Sequence, residues 1–156
     1  MIPFRLTQAQ FAERFRRSLD RASPRAIALL RAHFTLQIDP GVDSADVQLF
    51  IGDDDPQALS AWIYYVGQHN KVDARDPSLH AGRSLELALG LEDTEAFDSR
   101  FFTNEEFGGL DIAANALKAW FAECWWKAGG WGYGVPVSLG VHDGHGDGKS
   151  IKLTER

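Results

Sequence analysis

Apolar positions recur at two different spacings along this chain, and the switches between them mark its elements. Phe11, Phe15 and Leu19 repeat every four residues, the spacing that gives a helix one apolar stripe. Just before them, Thr7-Gln8-Ala9-Gln10 fits a capping box, with Leu6 and Phe11 in the flanking staple positions. A helix from about Gln8 to Arg21 is predicted. Ser23-Pro24 then reads as a cap followed by proline at the first helical position, opening a second helix. Ile27, Leu30 and Phe34 carry its buried side, and it is expected to end near His33.

The period then changes to two. Phe34, Leu36 and Ile38 alternate with polar residues, and Asp39-Pro40-Gly41 reads as a turn. Val47, Leu49 and Ile51 alternate in a second strand that Gly52-Asp53-Asp54-Asp55-Pro56 breaks. Residues 59–66 fit two patterns. Leu59, Trp62, Ile63 and Val66 share a helical face, but the run is rich in β-branched and aromatic residues and stops at Gly67. We assign it as a strand paired with 46–52. Residues 68–82 read as a loop, 83–89 as a weak strand, and 90–108 as an acidic irregular stretch anchored by Phe97, Phe101, Phe102 and Phe107.

The longest helix is expected at about 112–128, with Asp111 as its cap and Gly129-Gly130 at its end. Ala113, Ala116, Leu117, Trp120 and Cys124 form its core side, while Asp111, Asn115 and Lys118 lie on the opposite stripe. Glu123 and Lys127 stand at i,i+4 as an expected ion pair, and Trp125 and Trp126 fall near the polar stripe. After the glycine-rich run 129–134, Val135, Val137, Leu139 and Val141 alternate; Pro136 marks a strand start or a sheet edge. Ile151 and Leu153 add a last short strand, which closes a C-terminal hairpin. Few strands alternate with helices one by one. The order therefore predicts an α+β fold: an N-terminal helix pair, an antiparallel or mixed sheet of about five to six strands, and one long helix. A length of 156 residues fits a single domain, 1–156.

Charge changes the picture more than composition does. Seven arginines stand in residues 1–31 against Glu13 and Asp20, whereas residues 32–156 hold nine basic and twenty acidic side chains. The basic helix either faces solvent or docks on the acidic remainder. Arg14, Arg17 and Arg21 share one face that would meet phosphate, but the acidic body makes nucleic acid an unfavourable partner. The chain opens without an apolar leader, its longest uncharged stretches (56–70 and 128–142) fall short of a membrane span, and its one cysteine, Cys124, forms no internal disulfide. A cytoplasmic, bacterial protein is expected.

Three groups of residues carry candidate chemistry. The loop His142-Asp143-Gly144-His145-Gly146-Asp147-Gly148 sets two imidazoles and two carboxylates within six positions, a donor set suited to a divalent transition metal. His142, Asp143, His145 and Asp147 are its candidate ligands; a polar hairpin loop is the other reading, and then no cofactor is needed. Calcium fits poorly, because Thr154 stands where the coordinating glutamate belongs. The ending Gly-Lys-Ser lacks both the first glycine and the following helix of a phosphate loop. The second group is aromatic. Trp125, Trp126, Trp131 and Tyr133 lie among glycines and suit an interface, since such rings bury much area at low entropic cost. The third is acidic, Asp53, Asp54 and Asp55 above all, which would steer a basic partner.

No Gly-x-Ser-x-Gly or dinucleotide fingerprint occurs, and Cys124 sits on the buried side of its helix. The expectation is therefore a non-enzymatic protein-binding module with a basic protein partner. An immunity-type inhibitor of a basic toxin, such as a nuclease, has this profile. A metal-binding protein or metal-dependent enzyme built on the 142–147 loop is the alternative.

Overall fold

The computed structural model describes residues 1–52, 55, 57–67, 80–81 and 84–156. Helices α1 (Gln8–Asp20) and α2 (Ser23–Phe34) form the N-terminal pair. The capping box is present: the Gln10 N–H donates to Thr7 Oγ1 at 3.2 Å, and the Thr7 N–H donates to Gln10 Oε1 at 2.9 Å. Ser23 departs from expectation. It lies inside α2, Ala22 holds the cap position, and the Ser23 hydroxyl accepts from Trp120 Nε1 at 2.8 Å. A buried indole N–H needs an acceptor, so the serine ties α2 to a distant helix rather than capping its own.

The main sheet has five strands in the order β5-β3-β2-β6-β7. They are β2 (Val42–Ile51), β3 (Leu59–Gly67), β5 (Leu85–Glu86), β6 (Val137–Val141) and β7 (Ile151–Lys152). β2 pairs antiparallel with β3, from Val42↔Gly67 to Ile51↔Leu59, which settles 59–66 as a strand. β2 pairs parallel with β6, so the sheet is mixed. β6 is therefore an inner strand; Pro136 precedes it, and the Pro136 carbonyl accepts from the Ala45 N–H at 2.9 Å. β6 and β7 close the expected hairpin. A separate two-stranded parallel ladder joins β1 (Gln37–Ile38) to β4 (His80–Ala81). The alternation at 34–38 overstates β1: the Thr35 and Leu36 N–H groups bond to the carbonyls of Ala32 and His33, which carries the helical turn past Phe34.

Helices α3 (Arg100–Thr103) and α4 (Gly109–Lys127) lie on one face of the sheet with α1 and α2. Inward residues alternate along the strands: Val47 and Leu49 on β2, Ala61, Ile63 and Tyr65 on β3, and Val137 and Leu139 on β6. α4 begins three residues before the expected start. Gly108, with φ of 67°, holds its cap, so Asp111 sits in the first turn. Gly109 is needed there because a Cβ would lie 1.9 Å from the Phe101 carbonyl oxygen. Beside α1, Phe11 touches five other phenylalanine rings, those of Phe15, Phe97, Phe101, Phe102 and Phe107. Among the described residues, no helix is long and apolar enough to cross a membrane.

Candidate functional site

α4 ends where the glycine run begins, and that junction sorts the aromatic residues into two sets. Trp125 is sealed in the core with none of its surface exposed, and Tyr133 is buried beside it at 5.6 Å between ring centroids. The outward placement expected for Trp125 is therefore corrected. α4 is covered on more than one side, and Ala114, Phe121 and Trp125 form a second buried stripe at i, i+7 and i+11. Gly130 makes the burial possible, since a Cβ there would come within 2.2 Å of Trp125 Nε1. Among the described residues, that indole N–H has no hydrogen-bond partner. Trp126 and Trp131 do reach the surface, 40% and 47% exposed, and meet edge to face at 6.3 Å and 74°. Trp126 Nε1 donates to the Leu153 carbonyl at 3.1 Å, and the Trp131 carbonyl accepts from the Glu155 N–H at 2.9 Å. The pair thus stands on a base fixed by the backbone that follows the last strand.

The loop 142–148 folds onto the polar stripe of α4. Asp111 Oδ1 accepts from the Gly146 N–H at 2.8 Å, and Asn115 Oδ1 accepts from the Asp147 N–H at 2.9 Å. One turn further on, Lys118, only 5% exposed, donates to Asp147 Oδ1 and to the Lys149 carbonyl. The polar stripe of α4 is thus a clamp on the loop. Lys118 beside it holds the Asp147 carboxyl below its ordinary range. His142 turns the other way, its ring 4.5 Å from that of Phe50, with Nε2 3.3 Å from Asp143 Oδ1. His145 is half-buried. The four candidate ligands do not converge: among the described residues, no group of three or more His, Cys, Asp or Glu is placed to hold an ion.

Among the acidic candidates, Asp55 lies apart from the exposed tryptophans. Asp53 and Asp54 lie outside the described residues. Asp55 is exposed beyond the end of β2, whereas Trp131 precedes β6; the parallel register of those strands puts the two at opposite ends of the sheet. The arginine end docks on acidic neighbours. Arg14 meets Glu95 at 3.2 Å, Arg25 meets Asp93 at 3.5 Å, and Arg16 pairs with Asp20 and Glu123. Glu123 therefore pairs across to α1 instead of with Lys127. Arg17 pairs with Glu13 on its own helix at 2.6 Å.

Two arrangements were not anticipated. The first is a buried polar chain, in which His33 Nε2 lies 2.6 Å from the Tyr65 hydroxyl and that hydroxyl lies 2.9 Å from the Tyr133 hydroxyl. Burial lowers the His33 pKa and raises both tyrosines. The second is the sheet face away from the helices. It carries Phe50, Trp62, Tyr64 and Val66, all half-buried, among Asp46, Gln48 and Ser138. Alternation with Ala61, Ile63 and Tyr65 along β3 places Trp62 and Tyr64 outward. Toward β7 the face holds a groove of about 460 Å³ lined by Ser44, Asp46, Val66, Ser138 and Lys152.

No protein-family model matches this chain, and no curated protein and no solved structure matches it.

Proposed function

We propose that the chain is a protein-binding module of the cytosol that holds a basic protein partner, with Trp126 and Trp131 as the anchor of the contact. An immunity-type inhibitor of a basic toxin, such as a nuclease, is the role with this profile. One observation carries the reading: two exposed indoles meet edge to face on a base tied down by the Leu153 and Glu155 backbone. Tryptophan dominates the energetics of many interfaces, and rings already fixed lose little freedom on docking. A formal charge of −6 would speed encounter with a basic partner. The reading needs no cofactor.

The test is capture of a partner from the source lysate, followed by kinetics on the purified pair. Trp126→Ala and Trp131→Ala should each weaken the complex about 30-fold or more, the loss of at least about 2 kcal/mol typical of an interfacial hot spot. The association rate should fall steeply as salt rises from about 0.05 to about 0.5 M, because the Debye length shortens. Full binding with both indoles removed, or a rate indifferent to salt, would overturn the proposal.

A further inference from the structure

We infer that the sheet face opposite the helices is the contact between two copies of this chain, packed face to face about a twofold axis parallel to β2. Among the described residues, the turn His142–Gly144 covers only one end of this face, where the His142 ring lies on Phe50; in mid-sheet the face presents Trp62 and Tyr64, stacked at 6.4 Å and 19°. A lone solvent-facing sheet surface is normally polar, and uncovered aromatic patches mark contact sites.

The choice of a second copy comes from the way the face complements itself. β2 is the middle strand of five, so an axis along it lays β3 of one copy on β6 of the other. Strand pairing sets Gln48 between Trp62 and Gly140, and Asp46 between Tyr64 and Ser138. The axis therefore puts Trp62 over Gly140 of the second copy and Tyr64 over Ser138 of the second copy. Large meets small twice, and by symmetry four times. Tyr64 then enters the groove of about 460 Å³, ample for a phenol ring.

Charge points the same way. Lys152 lies in line with Ser138 on β7 at one edge, and Glu86 lies in line with Trp62 on β5 at the other. The axis brings the two edges together, with Lys152 and Glu86 offset by two residues along the strands, about 7 Å, within reach of two long side chains. A twofold axis across the strands would instead set Lys152 on Lys152. The proposed axis does bring the two Asp46 carboxylates together. Each accepts from Gln48 Nε2 at 2.6 Å and Ser138 Oγ at 2.9 Å, which softens the repulsion without removing it. Five strands about 4.8 Å apart over roughly 20 Å of strand give about 500 Å² per copy, hence about 1,000 Å² in the pair, near the lower bound for a specific interface. Sheets packed face to face in this way keep their strands nearly aligned.

Analytical ultracentrifugation of the intact chain tests this. A concentration-dependent rise from 17.3 kDa toward twice that mass is expected. Lys152→Glu and Glu86→Lys should each weaken association about tenfold, and the double variant should restore it; all three change only exposed side chains and should keep the wild-type circular dichroism. Asp46→Asn should tighten association, and Trp126→Ala should leave it unchanged, which separates this contact from the partner anchor. A mass of 17.3 kDa up to about millimolar concentration overturns the inference. So does a double charge reversal that fails to restore what either single change removed.

Discussion

A buried imidazole keeps its place only while it stays neutral. His33 is 7% exposed, its ring shares a hydrogen bond with Tyr65, and the chain ends at Tyr133, so nothing in that chain compensates a positive charge. Burial lowers its pKa from the ordinary 6.5. The unfolded chain takes up a proton near that ordinary value, and the native state resists it. Stability from this residue is therefore complete above about pH 6.5 and falls as pH drops toward the lowered native value. Denaturant unfolding at several values between pH 7.5 and pH 5 checks this, with His33→Gln as the control: the wild type should lose more stability over that window, and equal losses would refute the role. Little of this was legible in the sequence. His33, Tyr65 and Tyr133 are far apart along the chain, and each is unremarkable alone. The adjacent Trp125 and Trp126 teach the same lesson. Their spacing says that they face different ways; which of them is buried depends on the Gly130 backbone passing close enough to cover one.

Elements were more readable than their partners. The capping box, the strand at 59–66, the glycine end of α4 and the closing hairpin all follow from local patterns, because capping, alternation and left-handed turns are short-range effects. The stripe Asp111, Asn115 and Lys118 and the loop 142–148 were each visible too. What could not be read was that they bind each other, since those bonds span 35, 32 and 29 residues. The polar stripe of α4 and the loop read as either a metal site or a polar hairpin are joined in one clamp. Lys118→Met keeps the length of the buried stem and deletes the charge. Hydrogen exchange at the amides of Gly146, Asp147 and Lys149 should speed up, and the Asp147 carboxyl should titrate closer to its ordinary 3.8. In the wild type the pair stabilises the fold above that pH and loses its effect as pH falls through the lowered native value. Unchanged exchange and an unchanged titration in the variant would show that Lys118 does not hold the loop.

At the scale of the whole molecule, two forces could hold the basic helix pair on the acidic remainder, and their magnitudes differ. The ion pairs of Arg14, Arg16 and Arg25 are partly or largely exposed, with side chains 29–62% accessible on the arginine side. Pairs of that kind each contribute about 0–1 kcal/mol and weaken with salt. Phe11 sits among five phenylalanine rings with none of its surface exposed, and truncating such a side chain to alanine costs about 3–5 kcal/mol. Packing should therefore win. Raising sodium chloride from about 0.05 to about 1 M should lower unfolding stability by no more than about 2 kcal/mol, whereas Phe11→Ala should lower it by about 3–5 kcal/mol. Denaturant titration of both chains at both salt concentrations measures the two effects side by side. A salt effect larger than that of the phenylalanine truncation would mean that the unequal charge of the two chain segments, rather than the aromatic cluster, fastens the helices to the sheet.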